Sequence, residues 1–325
     1  MMENNFEINF NEKKEVWDNF VTTSPQRNIF VTSKFLDSLG AKYDLVTCRK
    51  GERVEAGTVV IFENDLPINH TFPFTQYQGI ILADNMSLAS HSKIPHEFEV
   101  LEFFVNALVS KYKSICLVES WRFTDMRPIL WQNYHEPERG TFKVDLRYTP
   151  ILDLTKIASY EEYLGSVRRL IRREIAKAEA NLTIETSDDI KMLDDLHDKT
   201  FKRQGVERDE EESNLVKNIA KGAIEGGYGR LMCAELDGKP ISAFLSLSDD
   251  RTCFHIFAAN DPDYRDSGAG TALVVDTIKD SLERGLKEID FVGANSPYRS
   301  AYKLSFNSEL RPFFVASFLN TTSEG

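Results

Sequence analysis

A short segment late in the chain combines an arginine, two glycines and a threonine at spacings suited to binding an anion. It reads Arg265-Asp266-Ser267-Gly268-Ala269-Gly270-Thr271 and separates an apolar, strand-like stretch from a helix-like one. Such a turn exposes backbone N–H groups, the helix dipole adds partial positive charge, and glycines allow a phosphate to approach closely. The glycine spacing differs from that of a Rossmann loop, and no Gly-Lys-Ser/Thr follows as in a Walker loop. The segment therefore predicts a pyrophosphate-binding turn.

Two titratable residues lie in the strand-like stretches on either side of this turn and its helix. His255 precedes the turn, and an ordinary imidazole can accept a proton from an ammonium group near neutral pH. The alternative is a half-buried strand histidine with no chemical role. Asp290 follows the helix, and its alternative role is a hydrogen bond to a loop or helix end. Both are candidate catalytic residues.

A basic helix is predicted upstream, over residues 160–180. Its apolar residues fall at helical spacing and form one stripe: Leu164, Val167, Ile171, Ile175 and Ala178. Arg168 and Arg172 flank that stripe, so they are candidates for binding an anionic substrate. The alternative is a solvated basic face.

The elements around these residues alternate in a regular order. Two strands joined by the turn Asp237-Gly238-Lys239-Pro240 precede the strand that contains His255. The phosphate turn, a helix over 271–284, the strand that contains Asp290, a short helix over 298–304 and a last strand over 310–317 follow. Residues 1–147 mix helices and strands without a phosphate turn. The polar stretch 143–149 predicts a boundary between two domains, 1–147 and 148–325.

Composition excludes several classes of protein. The 325 residues are 42% apolar and 28% charged, which is typical of a folded globular chain, and the formal net charge is -12. An acidic chain argues against general binding to DNA or to anionic membranes. The N-terminus lacks a secretory signal and no stretch is apolar enough to span a bilayer, so we expect a cytoplasmic protein. The four cysteines have no metal-ligand spacing, and no metal site is expected.

Two motifs resemble those of the GNAT superfamily of acyltransferases. Residues 265–270 match its Arg/Gln-x-x-Gly-x-Gly/Ala loop, in which backbone amides hold the pyrophosphate of coenzyme A. Residues 302–306, Tyr-Lys-Leu-Ser-Phe, are similar to the GNAT segment Tyr-x-x-x-Gly-Phe, but the segment is one residue shorter and has Ser305 in place of glycine.

The whole chain resembles one branch of that superfamily, the Fem-type and related two-domain transferases, which are often linked to cell-envelope polymers or polysaccharides. The resemblance is carried by Ser24-Pro25-Gln26 with Ile29-Phe30, by Arg168-Arg169-x-x-Arg172-Arg173 with Lys177-Ala178, by Asp290-Phe291 and by Tyr302-Lys303. It implies an α/β fold class with mixed sheets in two tandem GNAT-like domains, of which only the second keeps the phosphate loop.

The resemblance also implies a reaction. Residues 265–271 would bind acyl-CoA, with acetyl-CoA expected, and an amine would accept the acyl group. Tyr302 would be the acid for the leaving thiolate, with Tyr298 as the substitute candidate, also placed to meet the substrate. An amino sugar or a cell-envelope precursor would suit as acceptor. Two alternatives stay open: a Fem-type aminoacyl transferase that uses aminoacyl-tRNA, and a degenerate GNAT fold that binds without catalysis.

Overall fold

The computed structural model describes residues 5–319, and the chain divides into two compact units. Within the described residues, the first unit contains 5–37, Ala41–Arg147 and 312–319. The second contains Ser38–Gly40 and Tyr148–Arg311. Residues 1–4, which entered the argument about a secretory signal, lie outside the described part of the chain.

The end of the chain departs from the predicted domain range. We expected residues 148–325 to form the second domain, but residues 312–319 cluster with the first unit. The reason is a long-range strand pair. Strand β13 (Glu309–Leu319) pairs antiparallel with β6 (Ser114–Val118), with Val315 opposite Val118 and Leu319 opposite Ser114. Sequence order alone does not show such a pairing.

The first unit is built around a twisted antiparallel sheet. Its strands β1 (Phe6–Asn9), β2 (Lys42–Lys50), β3 (Arg53–Glu63) and β4 (Leu66–Pro67) follow one another in order, and β5 (Ile81–Leu82) also pairs with β3. Helix α3 (Ser90–Lys111) buries one apolar face in the core, which contains Val100, Leu101, Phe104, Val105 and Leu108. The shorter helices are α1 (Lys14–Thr23), α2 (Ser33–Ser38) and α4 (Arg127–Leu130).

The second unit holds a mixed sheet covered by helices. Its strand order is β7-β12-β11-β10-β9-β8, where the strands are β7 (Phe142–Asp153, in this unit from Tyr148), β8 (Thr183–Ser187), β9 (Gly229–Leu236), β10 (Lys239–Ser248), β11 (Thr252–Asn260) and β12 (Glu288–Asp290). Only β11 and β12 run parallel within this set. The helices are α5 (Tyr160–Ser166), α6 (Arg169–Asn181), α7 (Ile190–Arg203), α8 (Glu210–Glu225), α9 (Ala269–Glu283) and α10 (Pro297–Leu304). The predicted α/β class with mixed sheets is confirmed.

The helix predicted over residues 160–180 is wrong as a single element. It is two helices, because Val167 and Arg168 adopt extended backbone angles between α5 and α6. The Nη1 atom of Arg172 donates hydrogen bonds to the carbonyls of Leu164, Gly165 and Val167, at 3.0 to 3.1 Å. These carbonyls lie at the end of α5, where a helix leaves its last C=O groups without partners. The apolar stripe nevertheless packs as expected, with Ile171, Ile175 and Ala178 buried.

Candidate functional site

The two parallel strands of the second unit separate at their carboxyl ends. Pairing between β11 and β12 ends at Phe254 and Asp290. Beyond that point β11 continues to Asn260 paired only with β10, and the other strand leaves the sheet through Val292 and Gly293, which have φ of 52° and 74°. Ligands of open α/β sheets bind outside the carboxyl ends of parallel strands, where neighbouring strands diverge. The divergence of β11 and β12 is therefore the first feature of a candidate site.

The predicted phosphate turn follows β11 and leads into α9. A short 3-10 turn, Pro262–Ser267, is followed by Gly268 in the left-handed region with φ of 82°. A Cβ at Gly268 would overlap the backbone of Glu174 in α6, and a Cβ at Gly270 would lie 2.8 Å from Oδ1 of Asn260. Close packing against backbone and a positive φ require glycine at position 268, whereas a Cβ at Gly270 would have to displace the Asn260 side chain. The Ser267 hydroxyl accepts a hydrogen bond from the Ala269 N–H, and the remaining first-turn amides of α9 have no intrahelical acceptor.

Basic side chains surround this helix N-terminus. Lys177 of α6 donates a hydrogen bond to the carbonyl of Asp266, and Arg265 and Asp266 are exposed on the turn. Asp261 begins the turn, and its hydrogen bond with Lys199 lowers the pKa of its carboxyl group. The turn is therefore held from both sides by lysines. Anion binding by its amides and by the exposed Arg265 stays a prediction.

Tyr302 lies at the first turn of α9. Its hydroxyl is 3.4 Å from the Thr271 hydroxyl, and its ring makes an edge contact with Phe306. The residue is 43% exposed, yet desolvation is the main cause that raises its pKa to about 12. Thr271 in turn donates a hydrogen bond to the carboxylate of Glu174. Tyr298, the substitute candidate one turn earlier, is 92% exposed.

His255 lies where β11 and β12 separate, in an aromatic environment. The rings of Phe244 and Phe291 make edge contacts with it, each at 4.8 Å between centroids. Within residues 5–319 neither ring nitrogen has a hydrogen-bond partner. Burial, followed by the charge of Lys303, lowers its pKa to about 3. His255 is therefore neutral at physiological pH and a weak base, and its role as the general base stays a prediction.

Asp290 organises the turn that leads away from β12. Its buried carboxylate accepts hydrogen bonds from the Thr149 hydroxyl at 2.5 Å and from the Val292 N–H at 2.8 Å. These bonds fix the left-handed turn of Val292 and Gly293. Loop bonding was the alternative role of Asp290 in the sequence, and its catalytic role stays a prediction.

Lys303 is the functional candidate that sequence reasoning missed. Its ammonium group donates to the carbonyls of Val292 and Gly293, at 2.6 and 2.8 Å, so one of its three N–H groups remains for another acceptor. Desolvation is the main cause that lowers its pKa to about 8, while Asp290 acts in the opposite direction. The sequence placed Lys303 beside Tyr302 in the family-like segment, but its burial next to His255 depends on the tertiary fold.

The two predicted substrate arginines differ in their surroundings. Arg172 caps the end of α5, so its guanidinium already has a structural role. Arg168 is exposed and immediately precedes the first turn of α6. Substrate binding by either residue stays a prediction.

Between residues 5 and 319, no group of three or more His, Cys, Asp or Glu side chains is placed to hold a metal ion. In the same part of the chain no helix has both the length and the apolar composition needed to cross a bilayer.

Comparison with known proteins supports the GNAT-like interpretation. Residues 165–300 match the family model described as acetyltransferase (GNAT) domain. Among solved structures, FemX is similar with a TM-score of 0.68 at 14% identity, over 95% of this chain and 96% of that one. A tandem GNAT protein from the clavulanic acid biosynthesis pathway gives 0.54 at 11% identity, over 98% and 100% of the two chains. L-PGS from Bacillus licheniformis gives 0.52 at 11% identity, over 97% and 94%.

None of the curated protein sequences compared with this chain matches it. At the identities of these solved structures, the similarity shows the fold alone: two GNAT-like units follow one another along the chain.

Proposed function

We propose, on the premise that residues 165–300 form an acetyltransferase (GNAT) domain, that this chain transfers an acyl group from acyl-CoA to an amine acceptor. The observation that carries the proposal is the N-terminus of α9. The diphosphate site proposed there, called the seat below, consists of the left-handed Gly268, the closely packed Gly270 and the first-turn amides without an intrahelical acceptor. It lies beside the diverging ends of β11 and β12.

The residues near that seat suit the chemistry of a thioester. Amine attack on a thioester carbonyl places negative charge on the carbonyl oxygen, and a buried cation can stabilise this charge. Lys303 has one N–H group to offer and is charged below its pKa of about 8. Tyr302 can donate a hydrogen bond to the sulfur as the leaving thiolate develops charge. Because the pKa of His255 is about 3, we propose that the amine reacts as the free base and that His255 takes no proton from it. The new C–N bond forms as the C–S bond breaks, and the proton that the nitrogen gives up passes to the leaving thiolate, directly or through solvent.

For the acceptor we propose a chemical class. An amine on a small molecule fits an N-acyltransferase, and an amino sugar or a cell-envelope precursor is the acceptor class that we propose, consistent with polysaccharide biosynthesis in the cytoplasm. The exposed Arg168, next to the N-terminus of α6, is the residue that we propose for an anionic group of that acceptor, because an arginine can bind phosphate or carboxylate in a bidentate manner.

A second donor is favoured by one specific observation. The carboxylate of Glu174 accepts the hydrogen bond of Thr271 within the first turn of α9, so a diphosphate there meets a negative charge. The structural similarity to FemX extends over nearly the whole chain. An aminoacyl-tRNA donor, which places an ester rather than a thioester near Lys303, is therefore the alternative. A binding module without catalysis is the remaining one.

Ligand-dependent stability distinguishes these functions. A ligand present at 100 times its dissociation constant stabilises the folded protein by about 2.7 kcal/mol. We expect acetyl-CoA to raise the melting temperature of the parent, and Gly270→Ala to abolish most of this increase, because the added Cβ crowds Asn260 at the seat. Gly165→Ala is the matched control, since a Cβ there has no neighbour within 4 Å.

Three outcomes are informative. A parent stabilised by aminoacyl-tRNA but not by acetyl-CoA would replace the proposed donor with the alternative. Stabilisation by acetyl-CoA without acyl transfer to any tested amine would favour the binding module. Equal responses of Gly270→Ala and Gly165→Ala to acetyl-CoA would refute the assigned seat.

A further inference from the structure

Three helices of the second unit bring one polar side chain each to the first turn of α9. Glu174 comes from α6, Thr271 from α9 and Tyr302 from α10. The Thr271 hydroxyl donates to Oε2 of Glu174, and the Tyr302 hydroxyl lies 3.4 Å from the Thr271 oxygen. Thr271 is buried, and the backbone of Glu174 packs directly against Gly268. The packing of α6 on α9 therefore holds the Glu174 carboxylate next to the Thr271 hydroxyl.

The number of protons on these three groups determines which group donates each hydrogen bond. An ionised carboxylate only accepts hydrogen bonds, and a threonine hydroxyl has one proton to donate. Because Thr271 gives that proton to Glu174, only its oxygen lone pairs remain for Tyr302. Tyr302 must then be the donor in the contact between the two hydroxyl groups. At 3.4 Å this contact is long for an O–H···O bond, so it is weak and easily exchanged for a better acceptor.

We propose that Glu174 is a positioning residue, which acts through Thr271 to keep the Tyr302 hydroxyl as a hydrogen-bond donor that an incoming acyl donor can capture. The inference deepens the proposed function and rests on it for the identity of the acyl donor. The direction of the hydrogen bonds in the free protein does not depend on any ligand.

The same contacts define what Tyr302 supplies. Desolvation raises the pKa of its phenol to about 12, while the Thr271 hydrogen bond acts in the opposite direction and the Glu174 charge adds to the rise. An ordinary thiol has a pKa of about 8.5. Full transfer of the phenol proton to a thiolate is therefore uphill by more than three pKa units. Tyr302 gives a hydrogen bond to the sulfur and keeps its proton, so this step needs no further proton carrier at Tyr302.

Tyrosine NMR with a ¹³Cζ label reports on the hydroxyl directly. The signal of Tyr302 among the 11 tyrosines is assigned by its loss in Tyr302→Phe. We expect Glu174→Gln to shift it, because a carboxamide can donate to Thr271 and so release the Thr271 proton toward Tyr302. Glu179→Gln, an equal charge change at an exposed position of the same helix, should leave the signal unchanged.

A pair of substitutions at Thr271 keeps the test decisive if Glu174→Gln loosens the packing of α6. Thr271→Ser retains the hydroxyl and should give the parental Tyr302 signal, whereas Thr271→Val removes it and should shift that signal. A parental signal in both Glu174→Gln and Thr271→Val, or an equal shift in Glu179→Gln, would overturn the positioning role.

Coenzyme A itself is the probe for the second half of the inference. Where calorimetry shows that it binds the parent, its addition should shift the Tyr302 signal, because the sulfur takes over the hydrogen bond. Binding without any shift would overturn the capture of Tyr302 by the acyl donor. Absence of binding would refute the proposed donor, while the measurements on the free protein would still decide the role of Glu174.

Discussion

A buried glutamate of the first unit should make its stability depend on pH. Glu119 follows β6 and is completely buried. Its Oε2 accepts a hydrogen bond from the Ile80 N–H at 3.0 Å, and within residues 5–319 its Oε1 has no hydrogen-bond partner. Gly79 allows this close approach, because a Cβ there would overlap the carboxylate. Desolvation outweighs the single hydrogen bond and raises the pKa of Glu119 from 4.5 to about 8.

The sign and size of the effect follow from proton linkage. Between pH 4.5 and 8 the folded protein holds a proton on Glu119 that the unfolded chain releases, so the contribution of Glu119 to stability is greatest at low pH and falls as pH rises. With 1.36 kcal/mol per pKa unit, the loss from Glu119 is about 1 kcal/mol at pH 5, about 3 at pH 7 and about 5 at pH 9. Glu119→Gln removes this dependence, because the amide has a similar shape and stays neutral.

Urea unfolding followed by tryptophan fluorescence measures this difference. All three tryptophans, Trp17, Trp121 and Trp131, lie in the first unit, so the signal reports on the unit that contains Glu119. From pH 5 to pH 7, the free energy of unfolding of Glu119→Gln should gain about 2 kcal/mol relative to the parent. With a slope of about 2 kcal/mol per molar urea, the relative midpoint moves by about 1 M.

The change with pH is the diagnostic quantity. The unpaired amide of the glutamine adds an offset of about 1–3 kcal/mol that does not depend on pH. Glu102→Gln, at an exposed position of α3, is the control and should follow the parent at every pH. A constant difference between Glu119→Gln and the parent from pH 5 to pH 9 would refute the burial argument.

Three further outcomes concern the second unit. Lys303→Met should lower turnover by about 10²- to 10³-fold, which is the scale of one lost oxyanion donor. Turnover of the parent should fall above pH 8 as the Lys303 ammonium group deprotonates. A parental turnover that does not change with pH in this range would remove Lys303 from the mechanism. Tyr302→Phe should lower kcat by about 10- to 100-fold with little change in the Kd of acetyl-CoA, as expected for one hydrogen bond to a developing charge; near-parental turnover would move this role to Tyr298. Arg172→Met should lower the free energy of unfolding by about 1 kcal/mol, because the carbonyls at the end of α5 lose the hydrogen bonds that Arg172 donates to them. If the variant instead binds the acceptor more weakly at unchanged stability, Arg172 is a substrate residue.

The sequence by itself determined the order of elements around the phosphate turn. Hairpin, strand, glycine turn and helix follow from local patterns: the apolar strand-like stretches, the Asp-Gly turn and the glycines that precede the helix. Gly268 is glycine because the chain needs a positive φ before α9, and this requirement is visible as a motif. Local signals of this kind are legible because neighbouring residues alone satisfy them.

The break between α5 and α6 shows where local patterns fail. The apolar stripe continues through Val167, so helical periodicity predicts one helix, yet the backbone is extended at Val167 and Arg168. Burial of Val167 and capping by Arg172 compensate for the lost helical hydrogen bonds. Such compensation comes from packing and from a side chain five residues away, and the period of the stripe does not record it.

Only the tertiary structure decided the chemistry of the site and the pairing of the last strand, β13, with β6. The pKa values of His255, Lys303 and Tyr302 depend on how much water remains around each group, and residue type gives only the starting value. Glu174 reaches Thr271 across 97 residues, and Val315 of the last strand pairs with Val118, which lies far from it in the sequence. Contacts at such separation are fixed by the free energy of the whole fold, so no local sequence pattern encodes them.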